Sequence, residues 1–421
     1  MTELIQRISS LIWGVPVLLL LIGGGLYLSV RLRFPQRHIF RIFKSTLKTL
    51  TSGSKNGTAM SALQGFSTSL AAAVGTGSVA GVGAALAAGG KGAVFWMWVS
   101  AFIGMGISYC ENYLGTKYSH QSSACGALAY LEGIGRGRII ALIYAACTVL
   151  ASLGMGNMAQ ASSAAAAAAH GFGISRHAAA FMILIFAASA AWGKSSAARL
   201  CERLVPIMAL IFILGSLWVI LSHPLLACKA LRDIVGCAFS PRAAAGGALG
   251  TVVIEGVRRG AFSNEAGLGS SPAVHSACSI NVVEPEKATG TMGMCEVFID
   301  TMVICTLSAL VIIVSGVPLV SDSAVTGYSQ AMGGFGRSFI GLSLTLFALA
   351  TIAGWFFIGE KAWSYLTHGK TALYGLIYII CAVLGALYSS SLIWGISDIF
   401  NALMAIPNMI GVLCLSHEVK V

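Results

Sequence analysis

Long runs of apolar residues follow one another along the chain, separated by short polar segments. A helix of about 20 apolar residues crosses the hydrocarbon core of a bilayer, so each run predicts a membrane-spanning helix. The predicted spans are about 11–30, 60–88, 93–115, 139–167, 178–193, 204–222, 246–279, 291–315, 338–358, 372–388 and 391–415. We therefore expect an all-α polytopic membrane protein with about eleven transmembrane helices in one domain, residues 1–421.

The composition leads to the same class. Hydrophobic residues make up 57% of the chain and charged residues 10%, whereas ordinary soluble domains carry about 25% charged residues. So few charges cannot cover the surface of a soluble globule of this size, and the high hydrophobicity excludes a disordered chain. The 50 glycines fit a helix bundle in a lipid bilayer, since small residues let backbones approach closely.

Lysine and arginine together number 26, against 15 acidic residues. In a membrane protein this excess indicates basic cytoplasmic loops rather than nucleic-acid binding. The densest basic cluster directly follows the first apolar run: Arg31, Arg33, Arg37, Arg41, Lys44, Lys48 and Lys55. We predict that this segment is a cytoplasmic loop of a plasma-membrane protein, in a bacterial inner membrane. The N-terminus then lies outside and, after an odd number of spans, the C-terminus lies in the cytoplasm.

The 11 cysteines include no CxxC pair. Most lie inside apolar runs, where a cysteine packs as a small hydrophobic residue. Cys228 and Cys237 flank a polar connection that we predict to lie outside the cell. In that location the sequence leaves two alternatives open, a disulfide between these cysteines or two free thiols.

Two predicted spans carry glycine clusters and polar residues at mid-span, at 71–81 and 259–272. Several glycines together disfavour a continuous helix, because each costs about 1 kcal/mol relative to alanine. Broken helices persist in a bilayer only around a protein-enclosed cavity, and a matching pair points to a transporter site. The two spans, second and seventh in order, are an odd five positions apart, so repeats over 60–222 and 246–415 would run in opposite directions, with 11–30 as an added helix. The alternative is that these glycines serve helix packing alone.

At a break in a helix, backbone N–H and C=O groups lose their helical partners and become available to ligands. N–H groups at a helix start attract anions, and carbonyl groups at a helix end attract cations. At the first break we expect the N–H groups of Gly77 and Ser78 to receive a carboxylate. The carbonyls of Ala71 and Val74 are expected to face a cation. An amino acid zwitterion carried with a sodium ion needs both kinds of group.

Side chains elsewhere complete the predicted pocket. Carbonyls around Phe262 and the side chain of Asn264 are expected to receive an ammonium group at the second break. Gln160 stands alone in an apolar run, where it should face the cavity or another helix rather than lipid. Thr351 and Trp355 lie four residues apart on one helix face, where they line the pocket or pack against neighbouring helices.

Acidic residues inside predicted spans are candidates for function. Asp300 is expected either to hold a helix N-terminus or to carry a proton. Glu265 is expected to pair with Arg258 or Arg259, and Glu111 to act as a brace. The histidines lie mostly at span ends and receive no role. The chain has no HExxH or GxSG motif, which argues against an intramembrane enzyme.

Five segments, taken in order, resemble the alanine or glycine:cation symporter family, also called the sodium:alanine symporter family. They are GTGSVAGV (75–82), GGKGAVFWMW (89–98), RGAFSNEAGLGSSP (259–272), FIDTMVICTLSALVIIVSG (298–316) and ATIAGWFFIGEKA (350–362). The resemblance covers nearly the whole chain. It implies a leucine-transporter-type five-plus-five inverted repeat with one extra N-terminal helix. It also implies sodium-driven uptake of alanine or glycine, with sodium as the coupling ion and no cofactor.

The resemblance further implies roles for single residues. Those implied around the substrate are Thr76, Gly77, Gln160, Phe262, Asn264, Thr351 and Trp355. Those implied around sodium are the backbone oxygens of Ala71 and Val74 with Thr351.

The chain departs from the family pattern at three positions. Ser78 stands where the family usually has asparagine, Lys91 where it usually has proline, and Ala350 where it commonly has serine or threonine. Loss of the hydroxyl at position 350 removes one sodium ligand. Proton-coupled or uncoupled transport of the same amino acids is therefore the alternative function.

Overall fold

The computed structural model describes residues 11–52, 60–135, 137–192, 196–239, 248–388 and 391–421. Within these residues the regular structure is helical, with an isolated parallel bridge between Met60 and Cys278. In chain order the helices are α1 (Pro16–Arg31), α2 (Pro35–Leu50), α3 (Ala62–Ala73), α4 (Ala80–Gly89), α5 (Gly92–Ser119), α6 (Ala127–Glu132), α7 (Gly137–Phe172), α8 (Arg176–Ala191), α9 (Ser196–Ser222), α10 (Pro224–Ala238), α11 (Ala248–Asn264), α12 (Ser270–His275), α13 (Pro285–Val314), α14 (Ser323–Ala331), α15 (Gly334–Leu366), α16 (Ala372–Leu387) and α17 (Ser391–Cys414). Lys55 of the predicted basic loop lies outside the described residues.

The predicted all-helical membrane class is confirmed, but the count of about eleven spans is not. In the described residues, six helices are long and apolar enough to cross a membrane, or seven if the bent pair α1 and α2 is one span. They are α5, α7, α9, α13, α15 and α17. Two other predicted spans are each broken into two shorter helices, and α8 and α16 have 16 residues each. Such a helix is about 24 Å long, shorter than the hydrocarbon core of about 30 Å.

The order of helix types in the first half of the chain recurs in the second half. A broken helix (α3 and α4; α11 and α12) is followed by a long helix (α5; α13) and a short one (α6; α14). Another long helix (α7; α15), a 16-residue helix (α8; α16) and a last long helix (α9; α17) complete each set. Three corresponding pairs pack against each other: α5 with α13, α7 with α15, and α8 with α16.

Small residues bring the central helices close together. A Cβ placed on Gly354 of α15 would lie 2.8 Å from both the Thr68 carbonyl oxygen and the Ala72 nitrogen of α3. A Cβ on Gly341 would lie 2.7 Å from the Cα atom of Gly171 on α7. Only glycine permits such close approach of helix backbones. As a result, the middle of α15 is held beside the end of α3.

The basic cluster after the first span is a helix rather than the predicted loop. This helix, α2, is bent by 68° from α1. Its residues Ile42, Thr46 and Thr49 are buried, whereas Phe40 and Leu47 are exposed. Buried positions at spacings of three and four residues make an amphipathic helix, and the frequent charges between them concealed this pattern. A basic helix with exposed apolar side chains is typical of a segment lying along a membrane surface.

The described part of the connection between the two helix sets contains the helix α10, which excludes the disulfide considered above. Cys228 and Cys237 are free and exposed on one helix, α10. Their nine-residue separation corresponds to about 13.5 Å along a helix, whereas a disulfide joins Cα atoms about 4.4–6.8 Å apart. Lys91 pairs with Asp233 of α10, with 2.6 Å between Nζ and Oδ2. This ion pair ties α10 to the turn between α4 and α5.

Candidate binding site at the helix breaks

The first break separates α3 from α4. Helix α3 ends at Ala73, Gly75 is extended (φ −108°, ψ −163°), and Thr76–Ser78 form a single 3-10 turn. The N–H of Gly75 donates to the Ala73 carbonyl at 2.9 Å, whereas a continuing helix would direct it to Ala71. The carbonyl of the fully buried Ala71 therefore loses its helical donor.

The second break separates α11 from α12. Glu265, Gly267 and Gly269 have positive φ angles of 57°, 93° and 73°. This left-handed region is open to glycine and costly for other residues, so the helix cannot continue through it. Asn264 Oδ1 accepts the N–H of Ala266 at 3.1 Å and caps the broken end. The predicted interruption of both spans is confirmed.

Neutral oxygen atoms cluster where α15 meets the end of α3. Thr351 Oγ1 lies 2.8 Å from the carbonyl oxygen of Ala71 and 3.5 Å from that of Val74. It also lies 3.0 Å from the carbonyl oxygen of Phe347 in its own helix. One hydroxyl proton cannot satisfy three carbonyls, so oxygen lone pairs remain directed at this point. Such oxygen atoms can replace the hydration shell of a monovalent cation.

Gln160 lies on α7, two residues after the end of a π-helical turn, Gly154–Met158. Its Oε1 accepts hydrogen bonds from the N–H of Thr76 at 3.2 Å and from the Thr76 hydroxyl at 2.8 Å. Its Nε2 donates to the Met155 carbonyl at 3.3 Å. Single π turns are frequent at functional sites. Here the side chain that follows the turn faces the first break rather than lipid.

Phe262 and Trp355 wall the space between the two breaks. A Cβ placed on Gly77 would lie 3.5 Å from the Phe262 ring, so this ring packs on the first break. The Trp355 ring packs on Gly156 and leaves no room for a side chain there. Trp355 Nε1 donates to Glu265 Oε1 of the second break at 2.9 Å. The two rings therefore each pack against one of the breaks.

Ser78 faces a different group from the one expected. Its N–H donates to the Gly75 carbonyl at 3.2 Å within the 3-10 turn, so it does not point at a substrate carboxylate. Its hydroxyl donates to Asp300 Oδ1 at 2.5 Å. The short turn therefore directs Ser78 away from the predicted substrate role and toward an acidic side chain of α13.

Glu265 does not pair with an arginine, contrary to prediction. The left-handed turn at this residue brings its carboxylate to the Trp355 side chain described above. The arginines face other acids: Arg258 lies 2.5 Å from Asp398, and Arg259 lies 3.8 Å from Glu255. Glu265 thus joins the second break to α15 rather than neutralising a nearby base.

Glu111 on α5 occupies the bracing position expected for it. Its Oε1 accepts the N–H of Gly269 at 3.1 Å and a hydrogen bond from Asn408 Nδ2. Asn408 also donates to the carbonyl of Gly267 at 2.9 Å. The loop of the second break is thereby fixed between α5 and α17.

Sequence reasoning missed a second buried polar network. His275 Nε2 lies 2.8 Å from Glu296 Oε1, and His275 Nδ1 lies 2.9 Å from Asn112 Oδ1. The hydroxyls of Ser69 and Ser271 donate to Glu296 Oε2 at 2.8 Å and 2.9 Å. This network joins α3, α5, α12 and α13. Glu296 and Asn112 stand inside apolar runs, and acidic and amide side chains are rare in membrane spans. Their presence there was the sequence signal that could have indicated this network.

Most of the predicted site residues are buried, whereas Gly77 is partly exposed. The side chains with at most 6% exposure include Thr76, Gln160, Phe262, Asn264, Thr351 and Trp355. They come from α7, α11, α15 and the first break. A ligand can reach this position only if the elements around the breaks move relative to one another.

Two interrupted helices that meet around buried oxygen atoms, inside a bundle of apolar helices, define a membrane transporter. The chain belongs to the sodium:alanine symporter family, which matches residues 1–421. It is a multi-pass transporter and not an enzyme, as predicted.

Known proteins resemble the chain over nearly its full length. It is 36% identical to the sodium/alanine symporter AgcS of Methanococcus maripaludis, covering 99% of this chain and 95% of that protein. It is 32% identical to the probable sodium/glutamine symporter GlnT of Bacillus subtilis, covering 98% and 87%. The fold resembles a solved manganese transporter of Eremococcus coleocola, with a TM-score of 0.55 and 16% identity over 88% of this chain and 81% of that one. This last likeness concerns the fold alone.

Proposed function

We propose that this protein is a sodium-coupled symporter that imports alanine or glycine by alternating access. The observation that carries the proposal is the cluster of Thr351 Oγ1 with the carbonyl oxygens of Ala71 and Val74. A cation there links α15 to the end of α3, and so couples ion binding to the position of the first break. Membership of the sodium:alanine symporter family supports sodium as the coupling ion.

The chemistry between the breaks favours a small neutral amino acid. Thr76 and Gln160 provide polar groups on one side, and the backbone at Gly77 lies at the start of a helical half, where a carboxylate is favoured. The rings of Phe262 and Trp355 offer apolar surface to a methyl group or a hydrogen atom, and their bulk disfavours a longer side chain. Glutamine, which the name of one relative mentions, would require these rings to move.

We further propose that the two helix sets form a leucine-transporter-type inverted repeat preceded by α1 and α2. The recurring order of helix types and the family resemblance support this arrangement. The broken helices and the 16-residue helices then also cross the membrane, which gives about eleven spans. The N-terminus lies outside and the C-terminus in the cytoplasm, consistent with the basic α2 next to the cytoplasmic surface of a bacterial inner membrane.

Uptake by purified protein in proteoliposomes tests this function. Labelled alanine and glycine are each supplied outside, with an inward sodium gradient, with equal sodium on both sides, or with potassium only. We expect uptake of at least one of them to accelerate with the inward sodium gradient. Absence of uptake of both under every gradient would contradict the proposal.

Thr351→Val tests the sodium role of the cluster, because valine keeps the shape and removes the oxygen. Loss of one oxygen contact to a charged ligand costs about 1.5–3 kcal/mol, so the sodium KM should rise about 10–150-fold. Thr351→Ser should keep a near-normal sodium KM. The matched control is Thr345→Val on the same helix, whose hydroxyl only donates to its own helix at Gly341. A sodium KM that is unchanged in Thr351→Val would refute the assignment.

Proton coupling is the second candidate function. The buried side chain of Asp300 favours it, because a carboxylate enclosed in a membrane bundle can bind and release a proton. Alanine uptake is measured with an inward pH gradient at equal sodium, and with an inward sodium gradient at equal pH. Uptake that follows only the pH gradient would establish proton coupling and exclude sodium.

A further inference from the structure

A groove of about 630 Å³ lies between α2, the start of α13 and the connection that precedes α13. One wall is a single face of α2, because His38, Arg41, Ser45 and Lys48 line it at spacings of three and four residues. The opposite wall is largely apolar and includes Val282, Val283, Ala288 and Met294. The groove thus combines cationic side chains with an apolar surface, at a distance from the helix breaks.

Helix α2 is held along α13 by its other face. The Cys295 thiol of α13 donates to the Thr46 hydroxyl at 3.2 Å. The rings of Phe43 and Phe298 pack edge to face, with 5.3 Å between their centroids. At 100° per residue, Phe43 and Thr46 lie away from the face that lines the groove. The groove is therefore a product of helix packing, and both of its walls belong to packed elements.

The basic side chains on the α2 wall have no acidic partner within the described residues. Arg41 and Lys48 are exposed, and the ion pairs found in that part of the chain do not include them. The acidic side chain that lines the groove, Glu284, already pairs with Lys287, with 3.0 Å between Oε1 and Nζ. The charges of Arg41 and Lys48 are therefore available to an anionic ligand.

We propose that this groove binds an anionic phospholipid, with its phosphate at the α2 wall and an acyl chain along the apolar wall. Arginine can hold two phosphate oxygens at once, and lysine adds a point charge. Basic pockets of this kind at the cytoplasmic side of membrane helices suit anionic lipid headgroups. The inference goes beyond transport, and it rests on the proposed position of α2 at the cytoplasmic membrane surface.

The apolar residues around the groove favour a lipid over a free phosphate. Phe40 and Leu47 of α2 are exposed, and so is Val283 of the apolar wall. Such side chains are stabilised at the boundary between headgroups and acyl chains. A soluble phosphate would use the two cations and leave the apolar wall uncovered. A phospholipid covers both and contacts α2 and α13 together.

Native mass spectrometry of the purified protein in detergent measures this binding without transport. Phosphatidylglycerol and phosphatidylcholine with identical acyl chains are the two probes, and we expect the wild type to bind phosphatidylglycerol several-fold more tightly. Each cation near an anionic headgroup contributes about fivefold in affinity, so the double variant Arg41→Gln, Lys48→Gln should bind phosphatidylglycerol about 30-fold more weakly. Its affinity for phosphatidylcholine should stay unchanged.

The matched control is the double variant Arg33→Gln, Lys44→Gln. It removes the same charge from exposed residues near the groove that do not line it, and it should bind phosphatidylglycerol as the wild type does. Equal losses in the two double variants would overturn the proposal, because binding would then follow net charge alone. Equal binding of the two lipids by the wild type would overturn it as well.

A soluble competitor separates the two sources of phosphate. Glycerol 3-phosphate has the phosphate but no acyl chain, and an excess of it should leave phosphatidylglycerol bound. Displacement of the lipid would assign the groove to a free phosphate and contradict the proposal. Sodium-driven alanine uptake is a separate readout: its absence, with selective binding of phosphatidylglycerol intact, would count against the proposed function and not against this site.

Discussion

The most specific perturbation of the first break is Gly75→Ala. Its backbone angles are open to alanine, so the substitution adds a methyl group without backbone strain. That Cβ would lie 2.8 Å from Thr351 Oγ1 and 3.2 Å from Gln160 Oε1. Neither oxygen can retreat freely, because Thr351 contacts the Ala71 carbonyl and Gln160 accepts two hydrogen bonds from Thr76. One methyl group therefore disturbs both halves of the site at once.

Overpacking of this kind typically costs about 1–3 kcal/mol. If this free-energy cost applies to the ligand-bound conformation, the affinities for sodium and for alanine fall by a factor of about 5–150. The fold should persist, since the strain is confined to the contacts of one side chain. The loss should be larger for sodium than for alanine, because the contact with Thr351 is the shorter of the two.

Sodium-dependent alanine uptake and sodium binding measure the effect, and gel filtration in detergent checks the fold. Gly81→Ala, in α4 of the same broken span, is the matched control, because a Cβ there has no neighbouring atom within 4 Å. Alanine is also the better helix former, so this variant should be as stable as the wild type or more stable. Wild-type sodium affinity in Gly75→Ala would refute the assignment of the cation to this break.

Two other predictions concern features outside the break itself. Cys228 and Cys237 should both react with a maleimide without prior reduction, because they are exposed free thiols on one helix; a disulfide-linked mass would contradict this. Glu296→Gln removes the charged partner of His275 and should loosen the buried network by about 1–3 kcal/mol, so maleimide labelling of the partly exposed Cys278 in detergent should become several-fold faster. An unchanged labelling rate would show that the network does not hold this region closed.

The two breaks could be predicted because their causes are local. Glycine clusters and polar residues stand inside otherwise apolar runs, and Gly267 and Gly269 have the positive φ angles that stop a helix. Its isolation in an apolar run predicted that Gln160 faces a cavity or another helix, and the sequence left Thr351 open between lining a pocket and packing against neighbouring helices. The resemblance to a known family added the grouping of these residues around one site, which spacing alone does not give.

Partners of the buried polar side chains could not be predicted, because distant packing determines them. Asp300 meets Ser78, which lies 222 residues earlier, and Glu265 meets Trp355, which lies 90 residues later. The sequence pointed Glu265 toward nearby arginines instead. Helix α2 was missed for a different reason, because its basic residues suggested a loop. The only sequence sign of its buried face was the spacing of three and four residues between the positions that are buried.

The central claim is that sodium and a small amino acid bind at the same pair of helix breaks and so stabilise each other. Isothermal titration of alanine into the purified protein, with and without saturating sodium, measures this coupling directly. The account predicts that sodium tightens alanine binding about 5–150-fold, and that alanine tightens sodium binding by the same factor. Equal alanine affinity in sodium and in potassium would contradict it.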